Sequence, residues 1–171
     1  MLKKWTRHIA VALLSLGLVS NAMADRFQEI LTAGVIRIGV PVDVPPFGTQ
    51  NANREAEGYD IDVANMVAKA LGVKAELVQL TGANRLPFLL TDKVDVVISI
   101  MGLTPERAKQ IMFSAPYANT SLAVYGPKNI VVKSASDLGK FNVAAAKGTA
   151  QEMALSAANP KANIMRTEDD A

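Results

Sequence analysis

Val94-Asp95-Val96-Val97-Ile98 runs without a break into Ser99-Ile100-Met101-Gly102-Leu103-Thr104-Pro105-Glu106-Arg107. The first five residues are β-branched at every position but Asp95 and predict a short strand covered on both faces. Ser99 to Leu103 reads as a loop, and Thr104-Pro105-Glu106 opens a helix. A threonine hydroxyl accepts from a free backbone N–H one turn on, proline suits the first helical position, and glutamate favours the positive end of the helix dipole. Strand, loop and helix in that order point to an α/β fold. Arg107 falls in the first helical turn, where unpaired N–H groups already attract an anion and a guanidinium fork matches a planar carboxylate. A carboxylate site is the sharper reading; an ordinary ion pair with a surface acid is the plainer one.

Outward from this stretch toward the N-terminus the same alternation repeats. Asp25 is placed to cap a short helix with Phe27, Ile30 and Leu31 on one face, closed by Gly34. Val35 to Val40 is a short apolar run suited to a buried strand, and Pro41 to Gly48 leaves it as a stiff loop carrying Phe47. Gln50 to Gly58 reads as a solvated turn. Asp60 is placed to cap a helix from Ile61 to Leu71, ended by Gly72, with Val63, Met66, Val67, Ala70 and Leu71 on one stripe. A cap and a first-turn carboxylate explain Asp60 and Asp62 without a metal ion. Val73 to Leu80 reads as a second strand, and Asn84 to Leu90 as a short helix. Helices between successive strands favour a parallel sheet with right-handed crossovers. Ligands of such sheets bind where the carboxyl ends of strands open into loops. Phe47, Arg85, Ser99, Gly102, Thr104 and Arg107 are thereby brought to one rim.

Toward the C-terminus, Ser121-Leu122-Ala123-Val124-Tyr125 reads as a strand and Gly126 to Asn129 as a turn, together crossing between two domains. Ser136 to Lys140 is a short turn or helix, Phe141 to Ala146 a strand, and Lys147-Gly148-Thr149 a tight loop opening a helix to Ala158. Asn163 to Arg166 begins one more strand. The Gly148-Thr149 loop repeats the motif of strand, glycine, hydroxyl and helix start, either as a second contact to the same anion or as an ordinary strand-to-helix turn. It lacks the glycine-rich run and Lys-Ser or Lys-Thr of a phosphate loop.

Composition removes several classes of function. Lys3, Lys4 and Arg7 precede the apolar run Ile9 to Val19, and Ala22-Met23-Ala24 is a signal-peptidase pattern, so residues 1–24 read as a signal peptide and the mature chain as exported and soluble. An uncleaved anchor is the alternative. The apolar run is short for a membrane span. Of the 18 basic residues, three lie in this leader, leaving 15 against 16 acidic ones, a net charge of −1. Without a basic excess a nucleic-acid or anionic-membrane partner has no electrostatic basis. The leader also holds the only histidine, His8, and there is no cysteine. A thiol nucleophile, a Ser-His triad and a histidine or cysteine zinc site are excluded on these grounds.

In collinear order the chain carries Pro45-Pro46-Phe47, Gly58-Tyr59-Asp60-Ile61-Asp62, Asn84-Arg85-Leu86-Pro87, Lys93-Val94-Asp95, Thr104-Pro105-Glu106-Arg107, Phe113-Ser114-Ala115-Pro116-Tyr117 and Gly148-Thr149. This set resembles the family 3 extracellular solute-binding proteins, which deliver polar amino acids to ABC importers. The resemblance implies a periplasmic-binding-protein-like α/β clamp of two lobes that close on an amino acid. Residues 25–117 would form lobe 1, nearly complete, 118–129 the hinge crossing, and 130–171 part of lobe 2. By the same resemblance Arg107 holds the ligand α-carboxylate, aided by N–H groups near Gly102 and Thr104, and Thr149 closes on it from the second lobe. Ser99 and Gly102 contact the ligand ammonium and main chain. Phe47 and Arg85 line the side-chain end, with Arg85 equally placed to lock the loop beneath.

The resemblance further implies a periplasmic monomer that docks on a membrane permease, with no cofactor, no metal, no catalytic residue and no nucleic-acid partner. Pro41-Val42-Asp43 stands where some binders of acidic amino acids carry a basic residue. Ile100 and Gly102 replace positions that are often hydroxylated. The family's second lobe runs on past the point corresponding to Ala171, so the expectation is a C-terminally truncated clamp with weak or no ligand binding and exposed apolar surface. The alternative on this scaffold is a dehydratase-like enzyme, for which the rim offers Asp43 but no histidine, cysteine or paired carboxylates. A sensor ectodomain is a third class, without an anchor or signalling domain in this sequence.

Overall fold

The computed structural model describes residues 26–168. The proposed leader and the capping role of Asp25 lie outside them. Helix α1 (Arg26–Ala33) leads into strand β1 (Val35–Pro41), and a short antiparallel hairpin follows, β2 (Thr49–Gln50) with β3 (Ala56–Glu57). Helix α2 (Tyr59–Leu71), strand β4 (Lys74–Leu80), helix α3 (Arg85–Leu90) and strand β5 (Val96–Val97) complete the first unit. The strands form a parallel sheet in the order β4-β1-β5, with Val35 opposite Lys74, Pro41 opposite Leu80 and Ile38 opposite Val96. The α/β reading is borne out. Because β1 lies at the centre, the chain crosses from one side of it to the other between β4 and β5, and the loops after β1 and β5 diverge there.

The core sits between this sheet and α2. Ile36, Ile38 and Val40 of β1 are buried with Ile61, Ala64 and Ala68 of α2, Ile30 of α1 and Ile98. A central parallel strand is covered on both faces, so it is apolar nearly throughout. Small Ala64 and Ala68 let α2 lie close on the strand. Of the face expected on α1, only Ile30 is buried, whereas Phe27 and Leu31 are exposed. At the amino ends of the strands, Asp95 accepts from the Arg37 backbone N–H at 2.8 Å, from Arg37 Nη2 at 2.7 Å and from Arg26 Nη2 at 2.6 Å.

The second unit comprises a 3-10 turn (Ala135–Lys140), strand β6 (Asn142–Ala146), helix α5 (Ala150–Ala158) and strand β7 (Asn163–Thr167). Between the units lies the one-turn helix α4 (Pro105–Ala108). β6 and β7 pair in parallel, Asn142 opposite Asn163 and Ala146 opposite Thr167, with α5 as the crossover.

Several expectations need correction. Asp60 is not the cap of α2: the helix starts directly after Gly58, and its first N–H groups are met by the loop, Tyr59 donating to the Pro46 carbonyl at 3.1 Å and Asp60 to that of Phe47 at 2.8 Å. The loop itself caps the helix, which frees the Asp60 side chain for another partner. Ser121 to Tyr125 forms no strand, and Leu122, Val124 and Tyr125 are exposed. The strand expected over Val94 to Ile98 narrows to a paired core at Val96–Val97, but N–H groups on both sides continue to bond to β1, Asp95 to the Arg37 carbonyl at 2.8 Å and Ile98 to that of Gly39 at 2.9 Å. The turn expected over Gln50 to Gly58 contains the β2-β3 hairpin.

Candidate functional site

The parallel register places the three loops after β1, β4 and β5 at one edge of the first sheet. In the last of these, Thr104 is extended and its hydroxyl accepts from the Arg107 N–H at 3.3 Å, with Pro105 at the first helical position. The cap is as expected, although the helix lasts a single turn. It aims the Arg107 side chain inward, and the residue is buried. Its Nη1 donates to the Gly102 carbonyl at 2.7 Å and its Nη2 to the Gly148 carbonyl at 2.6 Å. One guanidinium therefore ties the first unit to the second.

Thr149 caps α5 in the same manner. Its hydroxyl accepts from the Glu152 N–H at 3.2 Å and donates to the Ala146 carbonyl at 2.7 Å, and the side chain is buried. The loop preceding it presses on the Gly82-Ala83 turn. Gly148 has φ +70°, and a Cβ there would meet the Gly82 carbonyl oxygen at 2.8 Å. A Cβ at Gly82 would lie 2.7 Å from the Lys147 carbonyl oxygen and 2.9 Å from Thr149 Cγ2. Both positions need glycine, one for its backbone conformation and both for the close approach.

Arg85 is buried and donates through Nη1 to the Ile100 carbonyl at 3.3 Å. It braces the loop from beneath, one of the two placements the sequence left open. Burial lowers the Arg107 pKa, and the charge of Arg85 lowers it further. Asp60 is fully buried nearby and accepts from the Tyr117 hydroxyl at 2.9 Å. Burial pushes its carboxyl up, partly offset by Tyr117, the Ile100 N–H and Arg85. Tyr59 stacks on Tyr117 at 6.2 Å between centroids and meets Phe47 edge-on at 6.2 Å.

In front of these groups lies a cavity of about 360 Å³ bordered by Phe47, Ser99, Gly102, Tyr117, Ala150 and Gln151, among others. Ser99 is buried, and its hydroxyl has no hydrogen-bond partner among the described residues. Of the seven residues singled out from the sequence, Phe47, Ser99 and Gly102 border the cavity, while Arg107, Arg85, Thr104 and Thr149 stand behind its walls or at the seam between the units. Sequence reasoning missed Tyr117 and Asp60 as members of the site. Tyr117 was present in the Pro116-Tyr117 motif, but its partner is 57 residues away. A larger trough of about 820 Å³ runs beside β6 and is mostly apolar, with Leu122, Ile130, Leu138 and Phe141 on its walls. The smaller cavity is bordered by Ile100 and Gly102, whose carbonyls Arg85 and Arg107 hold, and by three of the seven residues singled out from the sequence, which makes it the better candidate. Among the described residues no cluster of carboxylates and histidines could hold a metal ion.

Known proteins share this fold. The chain is 30% identical over 157 residues to the glutamine-binding protein of Geobacillus stearothermophilus, a match covering 89% of this chain and 60% of that one. It superposes with a TM-score of 0.79 and 33% identity on the solute receptor for L-cysteine of Neisseria gonorrhoeae, over 84% of this chain and 60% of that one. The ancestral amino acid-binding protein AncCDT-1, a precursor of cyclohexadienyl dehydratase, gives a TM-score of 0.77 at 38% identity, over 84% and 65% of the two chains. The chain thus spans about 60% of the length of these relatives. Structurally they are two-lobed clamps of the periplasmic-binding-protein type, and the two α/β units correspond to parts of that clamp. Residues 36–168 match the model of one family along almost all of the described chain, so the protein belongs to the bacterial extracellular solute-binding proteins, family 3.

Proposed function

We propose that the protein captures an amino acid outside the cytoplasm and delivers it to the permease of an ABC importer. The observation that carries this reading is Arg107, buried at the seam between the two lobes and donating to a carbonyl of each. A guanidinium has five N–H donors, more than these two carbonyls take, and its planar fork suits a ligand α-carboxylate. In this reading the N–H groups near Gly102 and Thr104 assist Arg107, and Thr149 closes from the second lobe. Ser99 offers its unpaired hydroxyl to the ligand main chain, and Phe47 packs against the ligand side chain. Arg85 holds the Ser99 to Gly102 loop in place. Residues 118–129 act as the hinge, and a ligand that contacts both lobes shifts the population toward the closed form that a permease reads. The ligands for which two relatives are named, glutamine and L-cysteine, support an amino acid as cargo. A periplasmic monomer without a nucleic-acid partner follows from the same reading.

Isothermal titration of the full-length protein with free L-amino acids tests it. Micromolar or tighter binding of at least one, lost on blocking the α-carboxylate as an amide, is the expected outcome; equal binding of the amide removes the Arg107 role. A second reading has one observation in its favour, the likeness to a precursor of cyclohexadienyl dehydratase. That reading requires turnover of a cyclohexadienyl acid, followed by absorbance, and family 3 proteins are mostly binders rather than enzymes.

A further inference from the structure

We infer that Asp60 is a positioning residue of the site: from behind the cavity its carboxylate holds two segments of the wall, the Ser99 to Gly102 loop through Ile100 and the Tyr117 to Leu122 run through Tyr117. The inference rests on the amino-acid reading above for what the cavity takes, and adds to it a residue that touches no ligand. Asp60 is fully buried and does not border the cavity, whereas Phe47, Ile100 and Tyr117 do.

The three wall segments meet at this one residue. Its backbone N–H donates to the Phe47 carbonyl at 2.8 Å, and the Tyr117 hydroxyl donates to its Oδ1 at 2.9 Å. Burial pushes the carboxyl up, and Tyr117, then the Ile100 N–H, draw it back, so that N–H stands at the carboxylate too. The Ile100 peptide is thereby gripped at both ends, since its carbonyl accepts from Arg85 Nη1 at 3.3 Å. Tyr117 and Ile100 both present donors, and an ionised carboxylate answers donors alone. Gly58 allows the approach: at φ +130°, a Cβ there would meet the Phe47 carbonyl oxygen at 2.6 Å. Tyr117 in turn leads directly into Ala118 to Leu122, all of which border the cavity. A side chain fixed at the root of two wall segments sets where both begin, and a site held in one geometry binds without first ordering its walls.

Hydrogen exchange and titration calorimetry of the full-length protein test the inference. Asp60→Ala should accelerate exchange over residues 99–102 and 117–122 and leave residues 142–158 at native rates. Tyr117→Phe keeps the ring and should accelerate only 117–122. Affinity for the tightest-binding free L-amino acid should fall at least about fivefold in Asp60→Ala and recover in large part in Asp60→Asn, which restores an acceptor. A role in stability alone would lower the melting temperature and leave that affinity unchanged. Native exchange at both segments, equal acceleration over 142–158, or native affinity in Asp60→Ala overturns the inference. If Asp60→Ala does not fold, native exchange over 117–122 in Tyr117→Phe overturns it equally. Loosened segments in a protein that binds no free L-amino acid overturn the amino-acid reading and leave the positioning role standing.

Discussion

The Tyr117 hydroxyl donates to Asp60 Oδ1 at 2.9 Å, while the hydroxyl of Tyr59, the residue before Asp60, donates to the Tyr117 carbonyl at 3.1 Å. The first turn of α2 thus clasps Tyr117, at the start of the segment leading to the second unit, by both its side chain and its backbone. This clasp places the Tyr117 ring against the cavity and stacks it on Tyr59.

Replacing Asp60 separates its role as acceptor from its charge. Asp60→Ala leaves the Tyr117 hydroxyl without its acceptor; Tyr117 is exposed enough for water to replace it, so the expected cost in urea denaturation is about 1 kcal/mol. Asp60→Asn keeps an acceptor and removes a buried charge, so stability at neutral pH should equal or exceed that of the native chain. The pH dependence has a definite sign. Burial raises the folded-state pKa of Asp60, so the folded chain holds this proton more tightly than the unfolded one. The resulting contribution is fully present below the ordinary carboxylate range and is lost as pH rises through the raised value. Asp60→Asn should remove that decline; an unchanged pH profile would show that Asp60 does not contribute it.

Arg107→Lys tests the seam. An ammonium is a point charge and cannot present the planar fork that reaches the Gly102 and Gly148 carbonyls together. Leaving one carbonyl unserved should lower stability by about 1–3 kcal/mol. Amino-acid affinity should fall at least about tenfold, equivalent to about 1.4 kcal/mol. Calorimetric affinity equal to that of the native protein would remove Arg107 from the binding machinery.

What could be read from residue order differs from what could not by the range of the interaction involved. The cap at Thr104, the proline at the next position and the stop at Gly72 depend on neighbours within one turn, and all three stand in the structure. The apolar run of β1 also announces its burial. The Asp60-Tyr117 and Arg107-Gly148 contacts span 57 and 41 residues, and nothing near either end signals them. An acid in the first turn of a helix looks the same whether it serves the helix or a distant tyrosine. Ser121 to Tyr125 has the composition of a strand, but pairing needs a second chain segment, and composition carries no information about one.

Gly148→Ala tests the contact between the two units. The added methyl meets backbone, the Gly82 carbonyl oxygen at 2.8 Å and Ala83 Cα at 3.1 Å, at a residue with φ +70°. The left-handed conformation alone costs roughly 1 kcal/mol for alanine. Neither backbone atom can turn aside as a flexible side chain would, so the loop must lift from the Gly82-Ala83 turn and the bond from Arg107 to Gly148 must lengthen. The two units should separate in small-angle scattering, with amino-acid affinity reduced. Gly126→Ala is the control, since a methyl there meets no described atom within 4 Å. Equal scattering profiles for the two variants would dismiss the glycine contact as the determinant of lobe approach.

Acid should also weaken the opposite end of the sheet. The Asp95 side chain is 3% exposed and is shared by Arg37 and Arg26. Burial alone would raise its pKa, but hydrogen bonds from the Arg37 side chain and backbone, then from Arg26, hold it at about 2. The unfolded chain binds this proton near pH 4, so the carboxylate stabilises the fold above that range. The contribution, on the order of 2 kcal/mol, is lost as pH falls from about 4 through about 2. Asp95→Asn should abolish this acid-dependent loss and destabilise the protein at pH 7, where two arginines and the Arg37 N–H lose their anion. The arginines remain half-exposed or nearly so, and water limits that cost. Parallel denaturation curves for the variant and the native chain between pH 7 and pH 2 would refute the assignment, because the Asp95 cluster ties β1 to β5 and converging curves are what its titration requires.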